Sequence, residues 1–488
     1  MNTSLEHFLL PVNSTVQNAL KVIDQNAQGI CFIVDEFQRP VGILTDGDLR
    51  RAFLNGTKLQ DGVEYIMNRN FTVLPFDTHT DIINGNLNQK IKHIPLVDQD
   101  GRLVDFANKF RTKRIPIMQP QLSGNELAYV SDCITSGWIS SQGSYVKRFE
   151  EAFTKYCQMP YALAVSNGTT SLHLALVSLG IGAGDEVIIP DFTFAATINA
   201  ILYTGAVPVI VDVDLTSWTI DPICIKKAIT PKTKAIMPVH IYGHAADMDV
   251  IMEIANEHQL FVIEDSAEAL GSTYHDQPIG SFGDVSSFSF FGNKTITTGE
   301  GGMLLFKDKA VYERAAILRD HGMSKNKRYW HDMIGFNYRM TNMQAAVGVA
   351  QMERVDDIVY HKRKIAQFYD QALRKYPSLQ LHGEKDHTTN SYWLYTFLIK
   401  ESSKFNREEL AERLAKNGIE TRPTFYPMHS MPIYAKYGRK EDLKNSIYIS
   451  ETGLSLPSYA DITMEELENV TAAIATAFTT IAFNQIEN

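Results

Sequence analysis

The sequence predicts an α/β protein built on a mostly parallel sheet, and three observations carry that reading. Apolar strand candidates recur between about Ile115 and Val355: EVIIP, VPVIVDV, KAIMPVH, LFVIED and GGMLLF. Helical sequence such as VIMEIANEHQ lies between them, and such alternation wraps a sheet with helices. LFVIED opens on four apolar residues in a row, as a strand covered on both faces does. At 488 residues the chain holds two or three domains. They divide as 1–112, 113–355 and 356–488.

The first 112 residues stand apart. They contain one unit twice, as GICFIVDEFQRPVGILTDGDLRRAF and then KHIPLVDQDGRLVDFANKF. Each copy reads as an apolar strand, a turn of Asp with Gly or Pro, and a second strand. A repeat of this size implies paired modules that bury a common face. The segment resembles a tandem pair of cystathionine β-synthase-type (CBS) domains, which form one compact α/β unit and often bind adenine nucleotides. In that resemblance Gly42 to Asp48 (GILTDGD) is the nucleotide-contacting motif, with Thr45 toward phosphate and Asp48 toward the ribose hydroxyls. VDFANKF in the second copy has no such Thr and Asp, so one usable site at most is expected. A purely structural appendage that helps dimerisation is the alternative. Charges here nearly cancel, at 11 basic against 13 acidic residues, and do not decide between the two. RTKRI, residues 111–115, is a short basic hinge.

Further along, ALAVSNGTTSLHLAL (162–176) reads as strand, turn and buried helix, with Gly168 and Thr169 at the helix start. Free N–H groups and the helix dipole favour an anionic phosphate there; an ordinary N-cap would look the same. LFVIED ends in Glu264 and Asp265 at the carboxyl edge of a strand, where open α/β sheets place ligands. A buried Asp265 needs a cationic partner, and a protonated pyridine nitrogen would supply one. SSFSFFGNKTITTGEGG (286–302) is an apolar run, then Lys294, then a glycine-rich turn. Burial disfavours an ammonium, and a neutral amine can attack an aldehyde. Phosphate turn, strand-end Asp and glycine-flanked Lys follow in that order, 96 and 29 residues apart.

The segments SGWISSQG, SNGTTSLHLAL, GDEVIIPDFTFAAT, PVHIYGHAADM, VIEDSAEALGS, SFSFFGNKTITTGEGGM, GFNYRMTNMQAA and RPTFYPMH resemble the DegT/DnrJ/EryC1/StrS sugar aminotransferases. These are fold-type I enzymes that use pyridoxal 5′-phosphate, and the resemblance runs from about Ile115 to the C-terminus. It implies a large sheet domain and a small C-terminal α+β domain. Lys294 matches the Schiff-base lysine and Asp265 the partner of the pyridine nitrogen. Gly168, Thr169 and Ser289 match the phosphate cradle, and Phe194 the aromatic that stacks on the ring. Asn337 matches a residue that reaches the neighbouring subunit's phosphate, a role Arg339 could fill instead; either implies at least a homodimer with shared sites. Many members carry Gln or His where this chain has Glu268, and the perosamine synthase-like subgroup carries Glu. His240, Arg422, Tyr426 and His429 fall in motifs that would line the substrate side.

The implied reaction passes an amine from glutamate, through the cofactor, to a nucleotide-linked 4-keto-6-deoxy sugar. The nearest subgroup points to a GDP-linked sugar and a perosamine-type product for surface polysaccharide. UDP- or dTDP-linked sugars, and amination at C3, stay open. So does a nucleotide-sensing regulator with a degenerate enzyme, against which stand Thr169, Asp265 and Lys294. A dehydratase of this family would carry His in place of Lys294.

Composition excludes several classes. A net charge of -10 argues against a general nucleic-acid binder. No apolar run reaches the ~20 residues of a membrane span. The opening MNTSLEHFLLPVNST lacks the features of a signal peptide. Cys31, Cys133, Cys157 and Cys224 are scattered, and neither they nor the histidines have metal-ligand spacing. A reduced, cytoplasmic enzyme without a metal is expected.

Overall fold

The computed structural model describes residues 5–76, 78, 80–88, 90–108 and 115–483. It divides into two compact units, Met1–Arg114 and Ile115–Asn488. Of the basic hinge read at 111–115, residues 111–114 lie outside the described residues.

In the first unit, β1 (Leu9–Pro11), α1 (Val16–Asn26), β2 (Ile30–Val34), β3 (Pro40–Thr45) and α2 (Asp46–Leu54) precede β4 (Leu74–Pro75), α3 (Thr80–Asn86), β5 (His93–Val97) and β6 (Leu103–Asn108). β1 pairs parallel with β2, and β2 antiparallel with β3. The second set repeats the pairing: β4 parallel with β5, β5 antiparallel with β6. Each copy carries a register shift at the matching place, Ile33/Val34 and Leu96/Val97. The two copies share an apolar cluster, with Phe106 of the second packed at 4.5 Å from Phe8 and 5.1 Å from Phe32. Burying that shared face is what holds two three-stranded sheets, each too small to stand alone, in one body.

The second unit opens with α4 (Glu126–Ser136) and α5 (Ser144–Cys157). Then alternate β7 (Tyr161–Val165), α6 (Gly168–Ser178), β8 (Glu186–Pro190), α7 (Ala195–Thr204), β9 (Val207–Val211), α8 (Pro222–Ala228), β10 (Thr233–Ile236), α9 (Met248–His258) and β11 (Phe261–Asp265). The short β12 (Thr273–Tyr274) and β13 (Gln277–Pro278) lead to β14 (Val285–Ser289), β15 (Gly302–Phe306) and α10 (Lys309–Arg319). The seven strands of the main sheet run β7-β15-β14-β11-β10-β8-β9. All are parallel except β15, which lies antiparallel between β14 and β7. The glycine turn after Lys294 causes this exception: it returns the chain directly, without the helical crossover a parallel neighbour requires. The carboxyl ends of β7, β8, β11 and β14 therefore share one edge.

After α11 (Asn342–Met352) and α12 (Val355–Leu373) come β16 (Leu379–Leu381), β17 (Thr388–Thr389), β18 (Tyr395–Ile399), α13 (Arg407–Lys416), β19 (Arg422–Pro423), α14 (Lys444–Thr452), β20 (Gly453–Leu456) and α15 (Met464–Phe483). The smaller sheet, β16-β18-β20-β19, is antiparallel. It packs on α12, α13 and α15 in its own apolar core. A further cluster joins Trp393, Leu394 and Leu398 to Phe192, Val239 and Tyr242, and this seats the small sheet at the strand edge. No described helix is long and apolar enough to cross a membrane.

Candidate active site

At the strand edge lies a cleft of about 730 Å³. Gly168, Thr169, Phe194, Asp265, Glu268, Ser289, Lys294 and Arg422, all singled out from the sequence, line it.

The turn after β7 builds one end. Asn167 caps α6: its side chain accepts from Thr170 N–H at 2.8 Å, and Thr170 Oγ1 accepts from Asn167 N–H at 3.3 Å. Ser171 N–H closes the first helical bond onto Asn167 O, so the Gly168 and Thr169 N–H groups are left facing outward from the helix end. A β-carbon on Gly168 would stand 2.7 Å from Ser289 Cβ, so only glycine lets α6 and β14 approach this closely. The result is a small cradle of free N–H groups and the Ser289 hydroxyl, suited to phosphate.

Asp265 ends β11. Thr197 Oγ1 donates to its Oδ2 at 2.8 Å, and Ala267 N–H to its Oδ1 at 3.3 Å. Burial pushes the Asp265 carboxyl up despite these donors, and no described cation forms an ion pair with it. A cationic ring nitrogen would be the missing partner. Across the cleft, Lys294 Nζ donates to Glu268 Oε1 at 3.3 Å and sits 4.0 Å from the Trp393 ring centroid. Trp393 is held in turn by its Nε1–H to Asn293 O at 2.6 Å. Tyr242 N–H donates to Glu268 Oε2 at 2.8 Å. Tyr242 reaches that position at φ 52°, a left-handed conformation unusual for a residue with a side chain. Burial pushes Glu268 up as well. Phe194 is exposed in the cleft, with Phe425 at 5.8 Å.

An anion cradle, a buried carboxylate lacking its cation and a lysine on the opposite wall together fit pyridoxal 5′-phosphate. Among the described residues no cluster suits a metal ion.

Three expectations are corrected. His240 does not face the cleft: it is fully buried, its Nε2 3.1 Å from Glu264 Oε2 and its Nδ1 accepting from Ala246 N–H. His429 is likewise turned inward, its Nδ1 2.7 Å from the buried Asp191 Oδ2. Tyr426 is exposed but outside the cleft lining; its neighbour Phe425 takes that place. Asn337 is exposed and pairs with Asp320 through the backbone, away from this cleft. Arg339 is held by Asp320 at 3.0 Å.

Sequence reading missed Thr197, Trp393, Tyr242 and Phe425. Thr197 carried a signal, being a polar residue one turn from Thr193 in a nearly all-apolar helix. Trp393 carried none, because only chain folding brings it to Lys294.

In the first unit, Thr45 caps α2. Its Oγ1–H donates to Asp48 Oδ2 at 2.7 Å, and Arg51 donates to Asp48 Oδ1 at 2.6 Å. The two residues expected to meet a nucleotide are thus tied to each other and to Arg51.

Comparison with known proteins agrees with this geometry. A family model described as the DegT/DnrJ/EryC1/StrS aminotransferase family matches residues 120–475, and a CBS domain model matches residues 5–55. GDP-perosamine synthase from Escherichia coli O157:H7 is 47% identical over 355 residues, 73% of this chain and 96% of that protein. GDP-perosamine synthase from Caulobacter vibrioides is 46% identical over 367 residues, 74% of this chain and 97% of that protein. Among solved structures, the PLP form of the putative sugar aminotransferase Spr1654 from Streptococcus pneumoniae superposes with a TM-score of 0.71 at 28% identity, over 75% of this chain and 99% of that one. S. venezuelae DesV, solved with a ketimine intermediate, gives 0.68 at 34%, over 72% and 93%.

Proposed function

This chain belongs to the DegT/DnrJ/EryC1/StrS aminotransferase family, with pyridoxal 5′-phosphate as its cofactor, and we propose that it converts a GDP-linked 4-keto-6-deoxymannose to GDP-perosamine, with glutamate as amino donor. The observation that carries the proposal is Lys294 facing Glu268 across a cleft that also holds the buried Asp265. The substrate assignment rests on likeness to the two GDP-perosamine synthases.

When bound, the cofactor supplies an electron sink for the carbanion formed at the amine-bearing carbon. The chain supplies the rest. Gly168, Thr169 and Ser289 would bind the phosphate, and Asp265, oriented by Thr197, would hold the ring nitrogen's proton. Phe194 would cover a ring face. Lys294 Nζ would take a proton from the donor carbon and return one to the product, acting as base and then acid. Glu268, next to Lys294 Nζ and raised by burial, is suited to hold a proton in between. Arg422 has no ion-pair partner among the described residues and lines the cleft, which supports a role on an anionic group of donor or sugar nucleotide.

The exposed Asn337 supports a shared site in a homodimer. For the first unit, the CBS match supports adenine-nucleotide binding at Thr45 and Asp48, with Arg51 displaced from Asp48 by the ligand.

The test is incubation of the loaded protein with glutamate and GDP-, UDP- or dTDP-linked 4-keto-6-deoxy sugars, with product mass as the readout. Amination of the GDP sugar alone is expected. Conversion of only a UDP or dTDP sugar would overturn the nucleotide assignment. Conversion of none would overturn the sugar assignment.

A further inference from the structure

Behind Lys294, on α12, lies a second lysine that the reaction above does not use. Lys362 is 1% exposed. Its Nζ donates to Ser458 O at 2.7 Å and forms no ion pair with any described residue. An amine buried with one carbonyl and no carboxylate is costly, so a lysine in this setting calls for an account.

Lys362 lines a chamber of about 10 Å³, and Lys294 and Thr295 line the same chamber. This is the size of one water. Two residues of the lining carry buried polar atoms without a protein partner: Gln121 Oε1 and Thr295 Oγ1. Lys294 therefore has the substrate cleft on one side and this chamber on the other.

We propose that Lys362 is a positioning residue for Lys294: through one water in the chamber it ties Gln121 and Thr295 together, fixing the turn that carries Lys294, and it holds positive charge behind that amine. The charge favours the uncharged form of Lys294 that attacks an aldehyde, because like charges disfavour one another at short range. This rests on the aminotransferase reading of Lys294. The geometry suits a water bridge: the Lys362 ammonium has donors to spare, Gln121 Oε1 only accepts, and Thr295 Oγ1 can do either. Burial holds Lys362 down to about 7, so its charge is present at neutral pH and below. The other titratable groups facing it are Tyr459 on the chamber wall and Glu126, reached through Gln351 Nε2 at 2.7 Å. Glu268 meets Lys294 from the cleft side.

The test is a pH titration of the visible absorbance of the lysine-bound cofactor in the full-length loaded protein, for wild type, Lys362→Met, Thr295→Val and the double variant. Lys362→Met is expected to move the midpoint upward by about half a pH unit or more. Thr295→Val, which removes only the hydroxyl, is expected to move it the same way by less. The double variant should match Lys362→Met, because the two act through one bridge. A lower melting temperature with an unmoved midpoint would make Lys362 a purely structural tie and overturn the proposal. If Lys362→Met does not fold, Thr295→Val decides alone, an unmoved midpoint again overturning it. A wild-type protein that takes up no cofactor would instead sink the aminotransferase reading, and is told apart by its lack of any visible band.

Discussion

Thr197 Oγ1 donates to Asp265 Oδ2 at 2.8 Å, both residues buried, and this bond sets which way the Asp265 carboxylate faces. Thr193 Oγ1 lies 2.7 Å from Thr197 Oγ1 and extends the relay back along the chain. A hydrogen bond to a charged group contributes about 1.5–3 kcal/mol. Thr197→Val keeps the shape and removes the donor. It should weaken binding of pyridoxal phosphate by roughly ten- to a hundredfold at that energy, as read by equilibrium titration. An unchanged affinity would mean Asp265 is oriented by the backbone alone.

Gly168 and Ser289 set the depth of the phosphate cradle. Gly168→Ala places a β-carbon 2.7 Å from Ser289 Cβ. Overpacking of this kind costs about 1–3 kcal/mol, so the melting temperature should fall and cofactor affinity with it. Adding Ser289→Gly removes the clashing carbon. Stability should then recover while affinity stays low, since the hydroxyl is gone; recovery of both would exclude Ser289 from the cradle.

Acid should unfold the catalytic unit partly through His382. Its ring stacks on Trp218 at 3.8 Å, its Nε2–H donates to Ser217 O, and burial pushes it down to about 4. The folded chain therefore binds this proton less readily than the unfolded chain, whose histidines titrate near 6.5. Stability is lost as pH falls from about 6.5 toward 4, by up to about 3 kcal/mol from this group. Melting temperatures between pH 7 and 4 should fall less steeply in His382→Gln, which retains an N–H donor. Equal slopes would assign the acid sensitivity to other groups, such as the carboxylates.

Thr45 and Asp48 close a reciprocal cap at the start of α2. Thr45→Ala should destabilise the first unit by about 1 kcal/mol, the usual cost of losing such a cap. If the same pair receives an adenine nucleotide, Thr45→Ala should also abolish any rise in melting temperature produced by ATP or AMP in wild type. A nucleotide-induced rise that survives Thr45→Ala would move the binding site elsewhere.

Several site residues announce themselves locally. Gly168, Asp265 and Lys294 each stand where an apolar strand gives way to a turn, and the strand edge that collects them follows from the parallel order of the sheet. The antiparallel course of β15 was less legible, since its apolar run reads the same in either direction. His240 and His429 misled because a histidine beside a motif looks the same whether it faces substrate or core. Burial with Glu264 and Asp191 separates the two cases, and burial is a property of the packed chain.

By itself the sequence determined the chemistry available: an α/β sheet, a helix start for an anion, a strand-end carboxylate and a lysine before a flexible turn. These follow from short-range pattern, where apolar spacing and glycine act within a few residues. The tertiary structure decided which groups act on one another. Trp393 lies 99 residues beyond Lys294, Tyr242 lies 26 before Glu268, and Thr197 lies 68 before Asp265. Such contacts arise only when the apolar faces of the two sheets are buried together. The energy that joins them comes from burial across the whole unit rather than from any local preference.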